Sequence, residues 1–177
     1  MSKYFADISN FGYTKDYLPI LNGCISADLF ILFFLFHNIV FKSNYLKLWY
    51  KKFSLSAALA DVLILVIGII IARFFYRFIF TDFSIWKFTG LAVSIQIVHD
   101  FLFYLLFKNT PVGYSYILDF FKKYAREIGW HAIVGDSVMM IAACLFSSYM
   151  ATLDTNMNII TLVVSLYFYP YMLYMEP

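Results

Sequence analysis

The sequence is short of charge, glycine, proline and cysteine. Charged residues make up 14% of the 177 while 63% are hydrophobic, against about 25% charged in an ordinary soluble domain. A chain of this size has too little interior to hide that much apolar surface, so the composition excludes a soluble globule and sends the excess to lipid. Seven glycines and four prolines are too few for a low-complexity or fibrous chain. The two cysteines, Cys24 and Cys144, have no CxxC or metal-type spacing. They read as two buried apolar thiols, with a bridge between the outer halves of their helices as the alternative. Three histidines with no HxxH, HxxxH or ExxH pair argue against a zinc- or iron-dependent membrane enzyme. No GxSxG context or Gly-rich phosphate loop is present. The expectation is a protein that is not an enzyme and needs no cofactor or metal. A net charge of +2 in short clusters leaves no footprint for nucleic acid. The N-terminal segment lacks the pattern of a signal peptide, so the first span is expected to serve as its own insertion signal.

What the chain does have is long apolar runs. Five fall near the ~20 residues that a helix needs to cross a hydrocarbon core: residues 18–41, 53–75 (extending towards 80), 85–107, 129–150 and 159–175. The last is interrupted late by Pro170, and a re-entrant C-terminal hairpin is the alternative to a fifth span. Residues 1–16 are expected to form an exposed or interfacial arm. Lys42, Lys47, Lys51 and Lys52 make a basic loop after span one, with Tyr45, Trp49 and Tyr50 as interface anchors. Residues 114–127 set Ile117, Phe120, Phe121 and Tyr124 on an apolar face beside Lys122, Lys123 and Arg126, the pattern of a helix lying on the membrane surface. Arg73 and Arg77 are expected to snorkel to headgroups or to pair with Asp82. Eight lysines and arginines follow spans one and three, counting Lys108 with those named, against Lys3, Lys15, Arg73, Arg77 and Lys87 on the other side. The positive-inside rule then puts the N-terminus outside and the C-terminus inside.

The spans also carry a repeat. Ala57, Asp61, Gly68 and Ala72 share one helical stripe, and Ala132, Asp136, Ala143 and Ser147 repeat it at the same offsets. Asp28 with His37 and Asn38 resembles Asp100 with Lys108 and Asn109, and the segment Tyr50-Lys51-Lys52-Phe53 resembles Phe121-Lys122-Lys123-Tyr124. The fold class expected is therefore all-α: one polytopic membrane bundle of about five spans, with two similar hairpin units (1–80 and 81–150), a closing helix (151–177) and an amphipathic interfacial helix. An Asp-bearing face of small residues on two helices also suits burial against a second copy, so a homo-oligomer is one expected partner beside the lipid bilayer.

Four spans hold one aspartate each, Asp28, Asp61, Asp100 and Asp136, and a charged Asp at a helix centre costs on the order of 2.5–3.5 kcal/mol on insertion scales. Measured from the basic side, Asp61, Asp100 and Asp136 share a depth of roughly 10 Å at 1.5 Å per residue, which groups them with His99 as an inner cluster, with His37 or His131 as additions. Asp28 lies on the face of span one opposite His37, Asn22 and Ser26, so one of Asp28 and His37 is expected to face away. Gln96, Asp100, Tyr104 and Lys108 form a polar stripe on span three. Two main readings stay open. In one, the acids and histidines fix helix packing in a structural or assembly protein. In the other, they handle a proton or cation in a channel or transporter.

The segments FSLSAALADVLILVIGIIIARF, IQIVHDFLFYLLF and FFKKYAREIGWHAIVGDSVMM resemble the small multi-span membrane proteins of giant, nucleocytoplasmic large DNA viruses. The resemblance covers residues 18–150. It implies a place in a viral internal membrane or a host membrane, with other membrane or capsid proteins as partners, and it favours the structural reading.

Overall fold

A computed structural model describes residues 4–37 and 44–174, and among these it forms seven α-helices and no strand. They are α1 (Tyr17–Phe36), α2 (Asn44–Phe53), α3 (Leu55–Ile79), α4 (Ile85–Asn109), α5 (Tyr116–Ile128), α6 (His131–Met150) and α7 (Thr155–Leu173). A 3-10 turn, Thr14–Asp16, precedes α1. Four helices (α1, α3, α4 and α6) are long and apolar enough to cross a membrane. The end of the first span, with Asn38, Phe41 and Lys42, lies outside the described residues, as do Lys3 and Met175.

Local chemistry sets the boundaries. Ser115 caps α5 by accepting the Leu118 amide at 3.4 Å, and Gly129, at φ 57°, ends it in the left-handed region that glycine tolerates. Asp154 caps α7 through the Met157 amide at 2.9 Å. Between α2 and α3 the chain turns at Ser54, whose φ of 46° is unusual for a residue with a Cβ.

The four long helices close a ring: α1 packs against α3 and α6, α4 packs against the same two, and α7 lies on α1. The approach of α1 to α6 depends on Gly23, because a Cβ there would stand 2.3 Å from the backbone nitrogen of Ser147. Ala57, Gly68, Ala72, Ala143 and Ser147 are buried as the small-residue stripes predict, and Ala132 is half-buried. Gly68 receives the Met140 side chain. Small residues allow this closeness where lipid tails give helices no hydrophobic reason to associate. Both stripes are thus used within the chain.

Three expectations change. The N-terminal arm is docked: the Ala6 amide donates to the Ser148 carbonyl at 3.1 Å, Ser148 Oγ returns a bond to the Ala6 carbonyl at 2.6 Å, and Ile8 is fully buried. Arg73 neither snorkels nor meets Asp82. It is fully buried and its Nη2 donates to the carbonyls of Asn10 and Tyr13 and to Asp16 Oδ2 at 3.1 Å. Its Nε and Nη1 are buried with no hydrogen-bond partner among the described residues, so Nη2 alone makes these bonds. The basic segment after span one is a second amphipathic helix, α2, which packs on α3 and meets α5. Each half of the chain therefore runs long helix, short amphipathic helix, long helix.

Candidate functional site

The apolar faces of α2 and α5 meet through rings. Trp49 stands 5.7 Å from Phe120 and 4.9 Å from Phe121, and Phe53 stands 5.4 Å from Phe120. Phe121 continues this wall to Phe103 of α4 at 5.0 Å and to Tyr124 at 6.0 Å. Above the wall, between α3, α4 and α6, lies a cavity of about 730 Å³. Asp61, His99, Asp100, His131 and Asp136 all line it, along with Gln96 and Tyr124. Asp61, His99, Asp100 and Asp136, grouped from the sequence, thus line one cavity from three helices.

Each acid has a different environment. Asp61 Oδ2 accepts from Trp49 Nε1 at 3.0 Å. Asp100 Oδ1 accepts from Gln96 Nε2 at 2.6 Å and lies 3.3 Å from His99 Nδ1, whereas its Oδ2 is buried with no partner among the described residues. Asp136 has carboxylate neighbours in Asp100 and Asp61, and no hydrogen bond to it is found among the described residues. Burial pushes the Tyr124 phenol up, and the charges of Asp136, Asp61 and Asp100 push it further, so it keeps its proton and can donate into the cavity. Among the described residues no group of three or more His, Cys, Asp or Glu is arranged to hold a metal ion.

Asp28 and His37 do not join this site. His37 is exposed at the end of α1, its Nδ1 2.8 Å from the Phe33 carbonyl. Asp28 is fully buried but stands behind Tyr50, accepting Tyr50 Oη at 2.9 Å on one oxygen and Tyr169 Oη at 2.8 Å on the other. Asn22, on the other face of α1, is equally buried and donates to the Asn158 carbonyl at 2.8 Å. Opposite faces are both interior because α3, α6 and α7 surround α1. His131 lines the cavity from its rim, exposed and stacked on Trp130. Cys24 and Cys144 are free, buried thiols.

Trp49 and Tyr50 are the residues that sequence reasoning placed wrongly. They are 5% and 1% exposed, and they serve the two acids instead of the membrane interface. No local spacing signals this, since Trp49 lies twelve residues before Asp61 and across the turn at Ser54, and Asp28 lies 22 residues before Tyr50. Towards the other end the ring is filled: Gly68, Ile69, Ala72, Ala92, Met140 and Ala143 are buried and line no part of the cavity. No protein-family model, curated protein or solved structure matches the chain.

Proposed function

We propose that this is an integral membrane protein that binds a positively charged molecule in the acidic cavity of its inner half. The observation that carries the reading is the convergence of Asp61, Asp100 and Asp136, from three helices, on one cavity of about 730 Å³. Such a volume with a few convergent polar groups in an apolar wall suits a ligand site, and three carboxylates there select for positive charge. Acids that only fixed helix packing would bond across helices. Of the three, Asp61 alone bonds to another helix, through Trp49. The filled outer half argues for binding over passage.

The topology proposed with it is five crossings, with α7 as the fifth, the N-terminus outside and the C-terminus inside. A second, structural reading is favoured at Asp28, whose bonds to Tyr50 and Tyr169 tie α2 and α7 to α1. Placement in a giant-virus or host membrane, with membrane or capsid partners or a second copy, rests on the resemblance and the composition.

Thermal denaturation of the purified protein with sodium, potassium, calcium, tetramethylammonium and hexyltrimethylammonium salts tests the reading, with flux in liposomes alongside. The expected result is stabilisation by a cation, lost in Asp61→Asn and Asp136→Asn, without proton or cation flux. Flux in the parent that both variants abolish would make this a transport pathway. A folded parent indifferent to every cation would leave only the structural role.

A further inference from the structure

The size and wall of the cavity say more about the cation than its charge does. A bare ion needs several ligands within about 2.0–2.6 Å, and among the described residues no three acidic, His or Cys side chains are gathered that closely. The volume of about 730 Å³ is that of a site for a drug-sized molecule. Its wall is aromatic on one side, where Trp49, Phe53, Phe103, Phe121 and Tyr124 line it in near-continuous ring contact. Aliphatic residues, among them Ile64, Leu65, Ile117 and Val134, line much of the remainder. Ile117 and Val134 are 43% and 47% exposed, so the cavity communicates with its surroundings instead of being sealed.

From these features we infer that the cavity takes an amphiphilic alkylammonium, a cationic amine head on an apolar chain. The inference rests on the cation-binding reading above and specifies the ligand class. The head sits among Asp61, Asp100 and Asp136, where the partnerless Asp100 Oδ2 gives it an acceptor that no protein group uses. The ring faces of Trp49, Phe121 and Tyr124 favour an alkylated ammonium, which is weakly hydrated and binds aromatic faces by cation–π attraction. The chain fills the aliphatic part of the volume, and the bilayer supplies such molecules at high local concentration. The basic groups that line the cavity are His99 and His131, with His99 already held on Asp100, while Lys52, beside the lining Phe53, is held over the Tyr116 ring at 4.2 Å.

Binding is measured in phosphatidylcholine nanodiscs, with empty nanodiscs as the reference. The probes are sodium, tetramethylammonium, the hexyl-, octyl- and decyltrimethylammonium series, and neutral decyl maltoside. Affinity is expected to rise about fourfold per methylene along the series, from ~0.8 kcal/mol per buried CH₂, with no saturable binding of decyl maltoside. Phe121→Leu, which keeps an apolar side chain but removes a ring face, should weaken the alkylammonium about fivefold. Sodium or tetramethylammonium binding as tightly as the decyl probe, or decyl maltoside binding equally well, would overturn the amphiphile while leaving a cation site. Failure of every cation to bind a helical, folded parent would remove the cation reading itself. These comparisons are made on the parent and on Phe121→Leu, so they stand even if the Asp→Asn variants do not fold.

Discussion

Asp28 shows how a buried acid is held without a basic partner. Two phenols donate to it, one from each of two other helices, and burial raises the Tyr50 phenol well above its ordinary value so that it remains a donor. Asp28→Ala leaves the Tyr169 hydroxyl unpaired, at about 1–3 kcal/mol, and removes the Tyr50 bond, at about 1 kcal/mol because Tyr50 keeps Asp61 beside it. The variant should lose about 2–4 kcal/mol in detergent denaturation while Asp28→Asn, which keeps one acceptor, loses less. Equal stability of Asp28→Ala and the parent would show that the two bonds contribute nothing. Glycine makes a second contrast. Gly23→Ala forces a Cβ into the Ser147 backbone, 2.3 Å away, and should cost about 1–3 kcal/mol of overpacking. Gly90→Ala meets no atom within 4 Å and should stabilise α4 by about 0.5–1 kcal/mol. Denaturation of the two variants side by side checks both signs. Asp61, Asp100 and Asp136 were legible as one layer because the depth of each from the basic segments can be counted along its own helix. Asp28 was not, because its offset presumes one inner face and α1 has more than one. Trp49 and Tyr50 were misread because an aromatic beside lysines has the same composition at an interface as in a lid over a buried acid.

At the scale of elements, the segment before α1 owes its position to a side chain on α3. Arg73 holds the carbonyls of Asn10 and Tyr13 and the carboxylate of Asp16, with the Tyr17 ring 4.9 Å from its guanidinium carbon. Arg73→Met keeps the bulk and removes the donors, so residues 4–16 should lose protection in hydrogen exchange and become open to protease, while the amides of α4 and α6 stay protected. Asp16 is left buried without its partner, so the loss should be about 3–5 kcal/mol. Unchanged exchange in the arm would show that Ala6, Ile8 and Ser148 hold it alone. The turn into α5 responds to pH. The Gly113 amide donates to Asp119 Oδ2 at 2.7 Å, and this bond, with Lys122 at 3.2 Å on the other oxygen, holds the Asp119 pKa below 3.8. A depressed carboxylate supports the fold above its unfolded pKa and loses that support as pH falls through the folded value. Exchange of the Gly113 amide should therefore be flat from pH 7 to about 4, after the intrinsic pH dependence is removed, and quicken only below. Loosening already at pH 6 would point to a different group. The periodicity of 114–127 made α5 legible. The same periodicity in α2 is shorter and falls in the basic segment between the runs 18–41 and 53–75, with Phe53 shared with the second run, which is why it passed as a loop.

For the whole molecule, the question is whether α7 crosses. Asn158, at its start, bonds to Asn22 near the arm, and Tyr169, eleven residues on, bonds to Asp28 at the depth of Tyr50 and the cavity. At 1.5 Å per residue those eleven steps carry α7 about 16 Å inward along α1. Tyr167, Tyr171 and Tyr174 are exposed at its far end, as an aromatic belt at the second interface requires. Pro170 does not stop the helix, which is compatible with a crossing, since neighbouring groups in a spanning segment take up the freed backbone. Five crossings put the termini on opposite faces, while four, or a re-entrant hairpin, put them on the same face. Tyr4→Cys and Tyr174→Cys are suited to the test: both positions are exposed, 64% and 73%, and the native Cys24 and Cys144 are buried. In oriented vesicles, a membrane-impermeant maleimide should label one of the two from outside and the other only after lysis. Labelling of both from one side would reduce the bundle to four spans, with α7 lying against α1 and returning. The same experiment fixes the side of the cavity, since α2 and α5 share the face reached by Tyr174. Protection of Tyr174→Cys in right-side-out vesicles would thus put the mouth on the inner face, where the excess of lysine and arginine predicts it.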